Sequence, residues 1–289
     1  MPKSLKAYIT GVVVLGAIAL VAATLVFPAE PAIAIRFAGE STSAPPLEVE
    51  IFLGVAFWIL LTLVSWALPV TLAHGIQQAV ANAPMLAAIF LGGPAVGGWV
   101  ALIGTTETRE LRGQIPWYGT LANHAGIVIP VITAGVVYEI LPGRDSGLFA
   151  YFVRAMIASG VLYGLNVLLA GLLLSLRTGK PLRTVLLGDT ASTAAPSLAL
   201  GPLGWLMAVV YSIEWWAALL FALPLYTTRM ASQRLIEMRD MFTQTIGALA
   251  EAVDKRDPYT AKHSHRVKTI AVDIGKVMRV SASELEALE

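Results

Sequence analysis

The run AYITGVVVLGAIALVAATLVF, residues 7–27, contains no charged side chain and follows a short amino terminus that carries Lys3 and Lys6. At ~1.5 Å per residue, a helix of this length crosses a hydrocarbon core of ~30 Å. A cleaved signal peptide is the alternative, because Ala32-Ile33-Ala34 could be its cleavage site. Its apolar core would exceed the usual ~7–15 residues, which favours an uncleaved first helix.

The composition extends this membrane assignment to the whole chain. Of the 289 residues, 56% are hydrophobic and 13% are charged, against about 25% charged in soluble proteins. The sequence therefore predicts a multi-pass protein whose main partner is the lipid bilayer. The net charge of +1 does not indicate a basic surface for binding nucleic acid. The lack of cysteine excludes disulfides, thiolate metal sites and cysteine nucleophiles.

Seven further apolar segments follow the first, which predicts an all-α bundle of about eight spans within residues 1–226. They cover residues 51–70, 74–91, 95–106, 118–141, 148–176, 184–200 and 203–226. The third and fourth spans are short and meet at Gly92-Gly93-Pro94, which favours a tight turn between two helices. Whether residues 184–200 cross the membrane is left open, because that segment contains Asp189 and Pro196.

The distribution of basic residues predicts the orientation, since short cytoplasmic loops carry an excess of Lys and Arg. With the amino terminus inside, only Arg36 and Arg144 lie in external loops. The basic residues outside the spans otherwise collect on the cytoplasmic side: Lys3, Lys6, Arg109, Arg112, Arg177, Lys180, Arg183 and Arg229. Both termini are then cytoplasmic.

Polar residues inside the predicted spans suggest an intramembrane ligand site, because buried polar groups in a bilayer are costly and tend to face the bundle interior. The candidates are His124, Glu214, Gln78 and Asn82. Hydrogen bonding between helices is the commoner role for such residues. Two other charged residues, Glu139 and Arg154, lie near predicted span ends, where long side chains can reach the interface.

Residues 227–256 contain no proline and predict a helix that connects the membrane part to the cytoplasm. An apolar stripe with near-heptad spacing runs along one face, which predicts either packing against the helix's own domain or the seam of a parallel homodimer. The stripe consists of Leu235, Met238, Phe242, Ile246, Leu249 and Val253.

Pro258 predicts that this helix ends near Asp257, since the residue before a proline avoids the α conformation. Thr260 is the candidate cap of the next helix, in which Val267, Ile270, Ala271, Ile274 and Val277 or Met278 form the predicted buried face. A further helix is predicted to begin at Ser281 or Ser283.

The sequence ALAEAVDKRDPYTAKHS at residues 248–264, continued by Arg266-Val267 and by SELEAL at 283–288, resembles the opening of bacterial HD-GYP domains. The resemblance covers about the last 45 residues. It implies an HD-type helical domain that starts within residues 257–289, and a metal-dependent phosphohydrolase that acts on cyclic di-GMP. Such domains are often attached to sensors in the bacterial inner membrane.

The resemblance also implies that His263 is the first ligand of a binuclear iron or manganese centre in a complete domain. Two residues depart from the family pattern, Lys262 and His265, so His265 is not expected to be a ligand. The family's His-Asp doublet and Gly-Tyr-Pro motif are not present. A partial match, VDIGK at residues 272–276, has Val272 in place of the histidine, so no catalytic residue is expected in this chain alone.

The sequence thus predicts a membrane sensor that regulates an HD-GYP phosphodiesterase. One alternative is the membrane portion of a sensor histidine kinase with His265 as phosphoacceptor. In that family an acidic residue stands at the position of Arg266, which argues against this alternative. A second alternative is a small-molecule transporter or channel with a regulatory tail.

Overall fold

The computed structural model describes residues 2–36, 46–67, 70–71, 77–78, 80–143, 146–256, 258–278, 280 and 285. Within these ranges it leaves out the side chains of 70–71, 77–78, 187–196, 225, 228–229, 231–232, 235–236, 239–240, 250–251 and 253–265. The described elements are helices α1 (Lys3–Val26), α2 (Leu47–Ala67), α3 (Asn82–Gly104), α4 (Thr108–Leu111), α5 (Trp117–Ile140), α6 (Leu148–Thr178), α7 (Leu182–Ile213), α8 (Ala222–Arg256) and α9 (Pro258–Met278). The described elements also include two 3-10 helices, Pro31–Ile33 and Trp215–Phe221. They include one antiparallel pair of two-residue strands, β1 (Val70–Thr71) and β2 (Gln77–Gln78).

Among the described residues, five helices are long and apolar enough to cross a membrane: α1, α2, α3, α5 and α6. Two shorter apolar helical stretches, Ser197–Ile213 and Trp215–Pro224, follow them. The prediction of a helical protein with several candidate membrane spans is confirmed. The count of about eight spans stays a prediction.

Helix α3 folds back on itself at Gly93, whose backbone has φ 82° and ψ −175°. A Cβ added at Gly97 would lie 2.5 Å from Cγ1 of Ile89. In a straight helix, residues eight positions apart are separated by about 12 Å along the axis. The contact therefore requires two arms, residues 82–92 and 94–104, packed side by side, and the predicted turn at Gly92-Gly93-Pro94 is confirmed. Each arm is about 16 Å long, roughly half of a hydrocarbon core.

The first arm begins later than predicted. Residues 77–78 form β2 and the helix starts at Asn82, whereas the sequence predicted an apolar span from residue 74. Pro84 is the third residue of the helix, where its missing N–H would have had no intrahelical partner. The start at Asn82 is therefore compatible with the proline, although hydropathy alone placed it earlier.

The α3 hairpin lies at the centre of the helix bundle, and most of its residues are buried. It packs against α1, α2, α5 and α7. Two glycines on neighbouring helices allow this close approach. A Cβ at Gly135 would lie 2.7 Å from Cα of Pro94, and one at Gly204 would lie 2.8 Å from the carbonyl oxygen of Ala83. Small residues at helix contacts are the usual means of tight packing in membranes.

The predicted boundary between the seventh and eighth spans is wrong. Helix α7 runs without interruption from Leu182 to Ile213, through Gly201-Pro202, and the chain turns at Glu214, which has φ −145° and ψ 114°. Within a packed helix bundle a proline removes one backbone hydrogen bond without ending the helix, because neighbouring groups can satisfy the freed carbonyl. The chain then continues as the 3-10 helix Trp215–Phe221.

The chain divides into two compact units, Met1–Met230 and Ala231–Glu289. Helix α8 begins in the first unit and is described to Arg256, and α9 is described from Pro258. The predicted end of the helix near Asp257 lies outside the described residues. Thr260 lies inside α9 and is therefore not its cap. The predicted start of a helix at Ser281 or Ser283 lies outside the described residues.

The predicted buried face of α9 is exposed. Val267, Ile270 and Ile274 are each at least 50% exposed, whereas Val272 is buried. The amphipathic pattern correctly marks one face as apolar, but burial also needs a neighbouring element, and no described element packs against this face.

Candidate functional site

The site centres on His124, which is buried in the second turn of α5. Its Nε2 lies 3.0 Å from Oε2 of Glu110, on the short helix α4. Its Nδ1 lies 3.3 Å from Oγ1 of Thr105, at the end of α3. The imidazole thus joins three consecutive elements of the first unit, and both partners come from the segment that leaves the α3 hairpin.

The hydrogen-bond network assigns the protons of this group. The Thr105 hydroxyl donates its single proton to the carbonyl oxygen of Ala101 at 2.7 Å, so towards His124 its oxygen can only accept. Nδ1 of His124 therefore carries a proton. Nε2 lies within hydrogen-bond distance of Oε2 of Glu110, so the two side chains are partners. This pairing suits a buried position, because an unpaired polar or charged group there would be costly.

Glu110 is held in place by a capping box at the start of α4. Its Oε2 accepts a hydrogen bond from the backbone N–H of Glu107 at 3.3 Å, while the Glu107 side chain accepts one from the backbone of Glu110. Glu107 is fixed in turn by Arg109, whose Nε and Nη2 donate to its Oε2 at 2.9 and 2.6 Å. The carboxylate that faces His124 is therefore oriented before any ligand arrives.

A cavity of about 300 Å³ lies beside the pair, close to the lower end of the range of ~300–1,000 Å³ for small-molecule sites. The amides of Asn123 and Asn166 and the rings of Tyr8 and Trp66 line it together with His124. Its walls come from α1, α2, α5, α6 and the α3–α4 segment. The cavity offers hydrogen-bond donors and acceptors next to an apolar surface, which suits a small polar ligand.

Of the four predicted ligand residues, the three whose side chains the structure describes do not come together. Glu214 is exposed at the end of α7 and lines a separate cavity of about 290 Å³ with Arg36. It lies in no span, because the chain turns there. Asn82 is the first residue of α3 and lines neither cavity. The backbone of Gln78 is in β2, and its side chain is outside the described residues. Of the three described side chains, only His124 lies at the site.

Glu110 and Arg154 were misjudged from the sequence. Glu110 was treated as part of a cytoplasmic loop, although Glu107-Thr108-Arg109-Glu110 has the spacing of a capping box. Arg154 was expected to reach the membrane interface, but it is only 3% exposed and contacts Tyr138. Its position near the start of α6 does not expose it, since α5 and α7 cover that part of the helix.

The residues implied by the resemblance lie in the second unit. The backbones of His263 and His265 are in α9, and their side chains are outside the described residues. Among the residues that the structure describes, no group of three His, Asp or Glu could hold a metal ion. The described part of the chain therefore does not fit a binuclear iron or manganese centre, and no chemical step is assigned to one here.

The predicted seam on α8 is exposed where it is described. Met238, Phe242, Ile246 and Leu249 are 51–66% exposed in the single chain. The side chains of the other two members, Leu235 and Val253, are outside the described residues. An apolar stripe of this kind is available for packing against another surface.

No family model, curated protein or solved structure matches this chain. The chemistry assigned to the cavity rests on its own geometry.

Proposed function

We propose that this chain is the sensor and transmission part of a bacterial inner-membrane receptor that regulates an HD-GYP phosphodiesterase acting on cyclic di-GMP. The observation that carries the proposal is the continuity of α8. This helix begins at Ala222 in the membrane unit and continues to Arg256, next to the RDPYT sequence that resembles the start of the phosphodiesterase domain.

The start of α8 is well placed to receive a signal from the bundle. The 3-10 helix Trp215–Phe221 leads directly into it, and Ala218 in that segment is fully buried. The Trp215 ring lies 5.9 Å from that of Phe57 on α2, in an edge-to-face arrangement. A shift in the packing of α2 would therefore change the position of the 3-10 helix that precedes α8.

The cavity beside His124 is the proposed input site. A small ligand with hydrogen-bonding groups would compete for the contacts of His124 and Glu110, and so alter the packing of α4 and α5 against the α3 hairpin. Binding shifts a conformational equilibrium only when the ligand prefers one state. The His124–Glu110 pair offers such a preference, because it can be formed or broken.

The active receptor is proposed to be a homodimer joined along the α8 stripe. A second copy is the simplest partner for this surface, since near-heptad spacing is typical of helices that pair with each other. The charged residues of α8, including Arg234, Glu237 and Asp254, lie off this stripe.

The deciding experiment measures cyclic di-GMP hydrolysis by the product of the complete coding sequence, in membranes supplied with Mn²⁺ or Fe²⁺. We expect hydrolysis, its loss in His263→Ala, and its retention in the matched control His265→Ala. If the chain belongs to a sensor kinase instead, ATP-dependent phosphorylation will appear and His265→Ala will abolish it. A coding sequence without a downstream His-Asp doublet, or hydrolysis that survives His263→Ala, would overturn the proposal.

The orientation of the first unit has a separate test. The chain has no cysteine, so single cysteines report their own accessibility. In intact cells, a membrane-impermeant maleimide should label Arg36→Cys and should leave Arg177→Cys unlabelled until the cells are opened. The reverse pattern would place both termini outside and remove the cytoplasmic output.

A further inference from the structure

A third cavity lies where α5 ends and α6 begins, and it is lined by a buried guanidinium. Arg154 lies about 9 Å along α6 from its first residue and is 97% buried, since its exposed fraction is 3%. Its Nη2 donates to the carbonyl oxygen of Tyr138 at 2.6 Å, and its guanidinium carbon lies 4.3 Å from the centre of the Tyr138 ring.

These contacts leave part of the guanidinium without a partner. Arginine has five N–H donors, and Tyr138 accepts from one nitrogen. Nε is buried and has no hydrogen-bond partner among the described residues. The ion pairs of the described residues do not include Arg154. A buried, always charged group with a donor that is unsatisfied among the described residues is suited to an acceptor of negative charge.

The cavity beside Arg154 has a volume of about 410 Å³, within the range of ~300–1,000 Å³ for small-molecule sites. Aromatic rings of Phe90, Tyr138 and Tyr151 line one side, with ring centres 5.0–6.3 Å apart. Gly147 and Leu148, both exposed, line the mouth. The cavity combines one positive charge with an aromatic wall and an opening at the start of α6.

We propose that this cavity is a binding site for a small organic carboxylate with an apolar or aromatic body. The carboxylate accepts hydrogen bonds from the guanidinium of Arg154, and the body lies against Phe90 and Tyr151. A planar guanidinium matches a carboxylate in geometry as well as charge. The proposal stands whether or not the chain controls a phosphodiesterase, because it uses no residue of the second unit.

A purely structural role explains only part of this arrangement. Tyr138 is close to the carboxyl end of α5, where backbone carbonyls lack intrahelical partners and a cation is favoured. One hydrogen bond from Arg154 satisfies that role. It accounts neither for the partnerless Nε nor for the open cavity beside it.

The test uses benzoate as the anionic probe and benzamide as its neutral analogue. Binding to the purified protein in detergent is measured by calorimetry and by the shift in thermal unfolding temperature. We expect benzoate to bind and benzamide not to bind. Arg154→Gln keeps a donor for the Tyr138 carbonyl but removes the charge, and should weaken benzoate binding roughly tenfold to a hundredfold. Arg177→Gln, at an exposed arginine of the same helix, should bind as the unmodified chain does.

A second variant keeps the proposal testable if Arg154→Gln does not fold. Leu148 is 59% exposed at the mouth, so Leu148→Trp should leave stability unchanged while blocking benzoate. The measurements are repeated in nanodiscs of phosphatidylcholine and of phosphatidylglycerol. Absence of benzoate binding, equal binding of benzamide, or unchanged binding in Arg154→Gln would overturn the proposal. If phosphatidylglycerol displaced benzoate and phosphatidylcholine did not, the site would bind a lipid phosphate, and the carboxylate assignment would be overturned.

Discussion

Replacing Gly93 with alanine would test the α3 hairpin through backbone conformation alone. Gly93 has φ 82° and ψ −175°, in a region that residues with a Cβ rarely adopt. The space beside it is open, because the nearest atoms to an added Cβ are Cγ of Glu30 at 3.9 Å and Oε1 of Glu139 at 4.0 Å. The methyl group would therefore meet ordinary van der Waals distances and no clash.

The substitution Gly93→Ala should therefore destabilise the fold through backbone strain alone, without a steric clash. Holding a residue other than glycine in this region costs about 1–3 kcal/mol. At ~2–4 °C per kcal/mol for a chain of this size, the unfolding temperature should fall by roughly 2–12 °C. The assay is thermal unfolding in detergent micelles, followed by circular dichroism and by tryptophan fluorescence.

The matched control is Gly160→Ala, in the middle of α6, where an added Cβ has no atom within 4 Å. Alanine is favoured over glycine in a helix by about 1 kcal/mol, so this variant should be as stable as the unmodified chain or slightly more stable. The same substitution thus has opposite signs at the two positions. If Gly93→Ala behaved like Gly160→Ala, α3 would not turn at Gly93 with positive φ, and the hairpin would be refuted.

Three further predictions concern contacts between elements. Glu110→Gln and His124→Gln should each destabilise the chain, and the double variant should lose less than the sum of the two, with a coupling of about 0.5–3 kcal/mol in a double-mutant cycle of unfolding. Gly204→Ala should lower stability by about 1–3 kcal/mol, because the added Cβ would lie within 3 Å of atoms of the α3 hairpin. Phe242→Cys should form a disulfide-linked dimer on mild oxidation of membranes, whereas Gln244→Cys, off the apolar stripe, should remain monomeric on a non-reducing gel.

A specific result would contradict each of these three predictions. Additive losses in the Glu110 and His124 cycle would mean that the two side chains do not interact. An unchanged unfolding temperature in Gly204→Ala would mean that α7 does not approach the hairpin closely. Equal cross-linking from both cysteine variants would reflect random collision, and monomers from both would remove the dimer.

Local features could be predicted from the sequence because they depend on neighbouring residues only. The turn at Gly92-Gly93-Pro94 follows from backbone preferences. Hydropathy alone was a weaker guide to helix limits. It placed a boundary near Gly201-Pro202, where the helix continues, since a packed bundle tolerates a proline that a local rule treats as a break.

The candidate sites could not be predicted in full, because their residues are brought together by packing. His124 was singled out as a polar residue in an apolar span, but its partner Glu110 belongs to a segment that resembled a cytoplasmic loop. Arg154 was assigned to the interface on its position near a span end. Its burial depends on the helices on either side of α6, which no local pattern reveals.

The sequence by itself determined that this is a helical protein with several helices long and apolar enough to cross a membrane. Hydropathy and sequence motifs depend only on the order of the residues along the chain. Only the tertiary structure decided that His124 pairs with Glu110, that Glu214 lies elsewhere, and that Arg154 is buried beside an open cavity. Burial and hydrogen bonding depend on which helices pack against each other, and local sequence patterns do not specify that packing.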